Sequence, residues 1–134
     1  MREVERSRFV PATPRDLENS LDPTRIVDLE GSFSVESTAE NEGSTLVTAT
    51  GPGIAFELRF ERTEGGYYYT QAGDAGPFES METWLTVEPD DEGSLVSMRS
   101  LVSIGVPLPF ADRVAAWKRG GELERALERL AAEG

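Results

Sequence analysis

Between residues 32 and 106 the chain is a succession of short alternating segments separated by polar turns, and nothing else in the sequence narrows its fold so far. The clearest segment is "GIAFELRFE", in which Ile54, Phe56, Leu58 and Phe60 alternate with Ala55, Glu57, Arg59 and Glu61. Successive side chains of a strand point to opposite faces, so four large apolar groups share one face while mostly charged groups share the other. That is the pattern of a sheet covered on one side only. The other segments pair as hairpins: "SFSVEST" and "STLVTAT" flank "AENEG", "GIAFELRFE" and "YYYTQAG" flank "RTEGG", and "ESMETWLTV" and "SLVSMRSLVSI" flank "EPDDEG". About six antiparallel strands are expected. Gly51-Pro52-Gly53 reads as a turn and not a phosphate cradle, because a strand and not a helix follows it.

Helices are expected on either side of this block. "REVERSRFV" reads as a strand, after which Thr13 suits an N-cap, Pro14 the first helical position and Asp16 the positive end of a helix reaching about Leu21. Asp22-Pro23 marks a turn, and "TRIVDLEG" supports one more helical turn before Gly31. Pro107 and Pro109 end the last strand, and a long helix runs from near Phe110 toward Ala132. The order is β-α-α, about six antiparallel strands and one C-terminal helix: an α+β chain forming a single domain over 1–134.

Alternation also assigns faces. Met81, Thr83, Leu85 and Val87 look inward with Val96, Met98, Ser100, Val102 and Ile104, while Trp84, Leu95, Arg99 and Leu101 look outward and form a partly apolar patch suited to a protein contact. Thr83 and Ser100 are hydroxyls on an otherwise apolar face, and a buried hydroxyl needs a partner from protein, water or ligand. Glu79 falls in phase with them nearer a loop. In "YYY" at 67–69, Tyr68 opposes Tyr67 and Tyr69, so at least one ring enters the concave side. In the final helix Phe110, Val114, Trp117 and Gly121 lie on one face, with Leu123, Leu127 and Leu130 on another about 150° or more away at 100° per residue. The change of side falls at Gly120-Gly121, so a bend or local unwinding is expected there, unless the glycines only allow close helix–sheet contact.

Composition excludes several kinds of chemistry. The net charge is −12, carried by 25 acidic residues against one lysine, Lys118, and twelve arginines. Such a surface repels nucleic acid and anionic lipid, and its composition resembles that of acidic cytosolic proteins of extreme halophiles. With no cysteine and no histidine there is no thiol nucleophile, no thiolate metal site and no imidazole base. The acidic stretches "ENEG" and "EPDDEG" lack a calcium-loop pattern and sit where hairpins need turns, so neither metal nor cofactor is expected. No run is long and apolar enough for a membrane span or secretory leader, which leads to the expectation of a cytoplasmic protein.

Three stretches give the chain a family resemblance: "FVPATPRDLENSLDPTRIVDLEG", a strand running into a Pro-containing turn and first helix; "WLTVEPDDEGSLVSMRSL", a hairpin with an acidic glycine turn; and "GGELERALERLAAE", a glycine followed by a Leu-rich half-helix. With the element order, these resemble the START-like helix-grip superfamily, which includes polyketide cyclase/dehydrase and lipid-transport families. The resemblance implies a C-terminal helix packed over a curved sheet, with a cavity between them for a small hydrophobic or amphipathic ligand, lipid or polyketide-like, held by a carrier or sensor. On this reading Phe56, Leu58, Thr83, Met98, Ser100, Phe110, Val114 and Trp117 line the cavity. Two alternatives stay open. A cyclase- or dehydratase-like enzyme would need a buried carboxylate, with Glu79 and a tyrosine, Tyr68, as the pairing. A non-catalytic accessory protein would act through a protein interface, with a homodimer or another protein as partner.

Overall fold

The computed structural model describes residues 1–106, 108 and 110–133, so the two prolines expected to end the last strand lie outside the described residues. Seven strands form one antiparallel sheet: β1 Arg2–Val10, β2 Ser34–Asn41, β3 Ser44–Gly51, β4 Ile54–Thr63, β5 Gly66–Ala72, β6 Ser80–Asp90 and β7 Gly93–Ser103. Their spatial order is β1-β7-β6-β5-β4-β3-β2, so β2 through β7 form a meander and β1 returns to pair with the last strand. Three helices complete the fold: α1 Pro14–Ser20, α2 Pro23–Glu30 and α3 Ala111–Glu133. The helix-grip architecture is thereby established, with α3 packed on β1 and β7 and against α2.

Local chemistry sets the boundaries. Thr13 Oγ1 accepts the Asp16 amide at 3.2 Å and starts α1, while Asp22 Oδ1 accepts the Arg25 amide at 2.8 Å and starts α2, each with proline in the first turn. Asp22-Pro23 is thus a second helix start, and α2 runs eight residues where one turn was expected. Gly31 closes it in the left-handed conformation, φ 79°. In the β2–β3 hairpin Glu42 and Gly43 both have positive φ, the geometry that matches strand twist across a tight turn. One residue, Glu36, bulges out of the β2–β3 register between Val35 and Ser37.

The inward faces match those expected from alternation. Met81, Thr83, Leu85, Val96, Met98, Ser100 and Val102 are buried, Val87 and Ile104 pack against them, and Phe56, Leu58 and Phe60 continue the core on β4. On the convex face Trp84 packs at a tilt against Tyr68, ring centroids 5.1 Å apart, and under the Arg99 guanidinium at 4.1 Å.

The final helix departs from expectation. It runs unbroken through Gly120 and Gly121, neither of which has positive φ. Its buried positions, Ala115, Ala116, Arg119, Gly120, Glu122, Leu123, Ala126, Leu127 and Leu130, form one continuous stripe in phase with the leucines. Phe110, Val114 and Trp117 face outward, 63%, 58% and 78% exposed. The stripe does not change sides; in its first half it is built of small residues and an arginine, which carry little hydropathy signal. Gly120 is there for close approach, since a Cβ would come within 2.8 Å of Arg6 Nη2 and 3.1 Å of Val4 Cγ2, whereas a Cβ on Gly121 would meet nothing within 4 Å.

Candidate functional site

Under α3 the concave sheet face carries a row of polar side chains. Strand pairing sets Tyr69 beside Thr83 and Thr83 beside Ser100 across β5, β6 and β7, all three almost wholly buried. Arg119 descends onto this row from α3 and is 2% exposed. Its Nε donates to Ser100 Oγ at 3.2 Å, and its Nη2 donates to Thr83 Oγ1 at 2.9 Å and to Tyr69 Oη at 3.3 Å. Nη1 bridges Glu30 at 2.5 Å and Glu122 at 3.0 Å. Tyr69 donates to Glu30 and Ser32 donates to Glu122. Ser100 donates to the Glu82 carbonyl at 3.0 Å and lies 2.9 Å from the Thr83 hydroxyl, which in turn has Met81 Sδ within 3.0 Å.

Charge and burial reinforce this cluster. Burial by itself would lower the Arg119 pKa, but Glu30, Tyr69 and Glu122 more than reverse that and hold it above the ordinary arginine value. Burial and then the Glu30 carboxylate push the Tyr69 hydroxyl well up, so it remains a neutral donor. Among the described residues every buried side-chain nitrogen and oxygen has a partner. Of the partners open to these hydroxyls, protein, water or ligand, the structure supplies protein, a guanidinium and the Glu82 carbonyl, and the network joins α2, α3 and the sheet. Further arginines sew the same joint: Arg125 donates to the Glu30 carbonyl at 2.6 Å and Arg129 to the Asp28 carbonyl at 3.2 Å, capping the negative end of α2.

The open space lies elsewhere, between α1 and the β4–β5 hairpin. There a pocket of about 320 Å³ is lined by Pro14, Leu17, Leu21, Tyr67 and Val87, with Arg62, Glu18 and Glu64 among its polar wall groups. The inward faces of β5 and β6 make its floor, and Tyr67 is fixed by donating to the Leu21 carbonyl at 3.1 Å. Arg62 donates to the Glu18 carbonyl at 3.2 Å and lies over the Tyr67 ring, 5.5 Å from its centroid. An apolar wall with a charged rim of one guanidinium and two carboxylates suits a molecule that is apolar along its body and polar at one end.

The expected site residues are dispersed. Phe56, Leu58 and Met98 belong to the packed core, and Thr83 and Ser100 to the Arg119 network. Phe110, Val114 and Trp117 cannot line an interior cavity, because the small face of α3, not this one, approaches the sheet. Glu79 is exposed in the irregular segment before β6 and accepts from Ser103 at 3.3 Å. Tyr68 is on the convex face donating to Glu82 at 2.8 Å, and burial followed by that carboxylate raises its pKa to about 12. The structure therefore does not assemble Glu79 and Tyr68 into an acid–base pair. Arg119 was missed, yet stepping back from Leu130 and Leu127 through Leu123 by threes and fours lands on it.

This topology, with a C-terminal helix across an incomplete sheet wrap, defines a START-like helix-grip protein. The family described as polyketide cyclase/dehydrase and lipid transport matches residues 1–134, and the chain belongs to it. Comparison with curated proteins returns no match. Among solved structures, a START superfamily protein from Mycobacterium smegmatis superposes with a TM-score of 0.72 at 14% identity, covering 98% of this chain and 97% of that one. A STAR-related lipid transfer protein from Xanthomonas axonopodis gives 0.65 at 15% identity over 97% and 86% of the two chains. The di-domain aromatase/cyclase BexL of the BE-7585A biosynthetic pathway gives 0.71 at 18% identity, with 98% of this chain matching 46% of that one. At such identities the likeness is one of fold. No helix among the described residues is long and apolar enough to cross a membrane.

Proposed function

We propose that this protein is a carrier or sensor for a small amphipathic molecule, lipid or polyketide-like, held in the pocket between α1 and the β4–β5 hairpin. The observation that carries this reading is the pocket itself: about 320 Å³, within the usual range of ligand sites, and lined by apolar side chains of α1, β5 and β6. The apolar body of the ligand lies against Leu17, Leu21, Tyr67 and Val87, and its polar end reaches Arg62. Family membership supports the same class of ligand. The site differs in position from a cavity beneath α3, where the Arg119 network occupies the space.

The test is fluorescence titration with anilinonaphthalene sulfonate, which has an apolar body and an anionic end, alongside native mass spectrometry of protein isolated from its own cells. Saturable binding lost in Val87→Trp, which fills the pocket, and weakened in Arg62→Gln is the expected result. Dye affinity that Val87→Trp leaves unchanged, in a variant with the wild-type circular dichroism spectrum, would remove the pocket from the proposal.

A further inference from the structure

The largest exposed apolar side chains gather where the chain leaves β7 and enters α3: Leu108 is 65% exposed, Phe110 63%, Val114 58% and Trp117 78%. Scattered apolar residues are ordinary on a surface, but a tryptophan this exposed among others is not. At about 100° per residue Val114, Trp117 and Gly121 lie within an arc of about 60°, forming one stripe on the outer face of α3, and Phe110 stands just before its first turn. Gly121 belongs to that stripe, and nothing in the monomer accounts for it. Glycine is the least favourable ordinary residue in a helix interior, and unlike Gly120 this one has no neighbour that a Cβ would strike.

We propose that this stripe is a homodimer interface in which two α3 helices cross antiparallel about a two-fold axis, Trp117 of each copy resting on Gly121 of the other. Trp117 and Gly121 are equidistant from residue 119, so a two-fold at that level exchanges them. The bare backbone at Gly121 is the hollow that a large ring requires. Charge fits the same operator. Arg113 and Glu124 lie on one flank of the stripe, within about 20° of each other, and at about 1.5 Å per residue they stand about 9 Å before and about 7.5 Å after the axis. The two-fold preserves that flank, so Arg113 of each copy meets Glu124 of the other, twice per dimer. Glu124 is more than half exposed and, among the described residues, is paired only with Arg6 at 4.0 Å. A parallel pairing would set like charges together. An anionic bilayer fits less well, since Glu124 and Glu128 share the exposed side of α3 and the chain carries −12. Isologous pairing of one patch with itself is the ordinary way that symmetric dimers form.

Sedimentation equilibrium from micromolar to submillimolar protein tests this. Wild type is expected to associate to a dimer and no further. Gly121→Leu fills the hollow with a better helix former and is expected to be a well-folded monomer. Arg113→Glu and Glu124→Arg should each weaken the dimer roughly tenfold, and the double exchange should recover most of the loss, because it restores each pair across the axis. Wild type remaining monomeric throughout, a Gly121→Leu dimer, or a double variant no better than the singles would overturn the proposal. So would sedimentation with phosphatidylserine vesicles that Trp117→Ala abolishes in a chain that does not self-associate.

Discussion

Replacing Arg119 with methionine asks how much of the fold hangs on the polar joint. Methionine keeps most of the length of the side chain and removes the charge and all donors, leaving Glu30 and Glu122 facing each other with Tyr69, Thr83 and Ser100 short of partners. Breaking one side of a buried ion pair costs about 3–5 kcal/mol, mainly for the charge left behind. The side chains of Glu30 and Glu122 retain 12% and 8% exposure, so water reaches them and the low end applies. For a domain of this length, with an unfolding entropy of about 2.1 cal/mol/K per residue, a loss of about 3 kcal/mol lowers the melting temperature by about 10 °C. Thermal and urea unfolding followed by circular dichroism measure it. Adding Glu30→Gln and Glu122→Gln to Arg119→Met should recover most of the loss, because no uncompensated charge then remains. An Arg119→Met loss below about 1 kcal/mol, or a triple variant weaker than the single, would refute the reasoning.

Other consequences can be checked with ordinary tools. At protein concentrations where the monomer prevails, Gly121→Ala should stabilise the fold by about 1 kcal/mol through helix propensity, while Gly120→Ala should gain less, because its methyl group comes within 3.1 Å of Val4 Cγ2 and must push the Arg6 guanidinium aside; chemical denaturation of the two separates them. Tyr68 titrates near 12 in the folded chain against 10.0 for a free tyrosine, and the Tyr69 hydroxyl is shifted the same way. Both groups bind protons more tightly folded than unfolded, so the stability they contribute is complete below pH 10 and is lost at higher pH, for Tyr68 as pH rises through about 12. Ultraviolet titration should show late tyrosinate formation, and Tyr68→Phe should flatten the stability profile over that window.

Much of the fold was legible because it rests on alternation. The faces of β4, β6 and β7, the Thr13 cap and the placing of Arg99 outside all follow from local chemistry that the tertiary structure leaves intact. Glu79 misled because it precedes the strand, which begins only at Ser80, and its exposed carboxylate turns to the Ser103 hydroxyl and not to the concave face. The three tyrosines could not be assigned to faces from sequence alone; pairing of Phe60 with Tyr69 settles them, and the two rings stack at 4.3 Å. The long helix was the hardest element to read. Burial there is carried by Ala115, Ala116, Gly120 and a paired arginine, while the conspicuous apolar residues stand outside, so hydropathy pointed to the wrong face of its first half. A charged side chain in the interior is invisible to any reading that equates buried with apolar.

The bulge at Glu36 has a consequence for how copies of the chain meet. β2 is an edge strand, with one row of backbone donors and acceptors left without a neighbouring strand, and such a row is a template for adding strands without limit. Displacing Glu36 from the ladder, between Val35 and Ser37, interrupts that template; at the opposite edge β1 is dense in arginine and glutamate and has α3 packed against it. Both borders of the sheet thus carry devices that work against open-ended strand addition, and the proposed pairing through α3 would be finite where pairing along these edges would not.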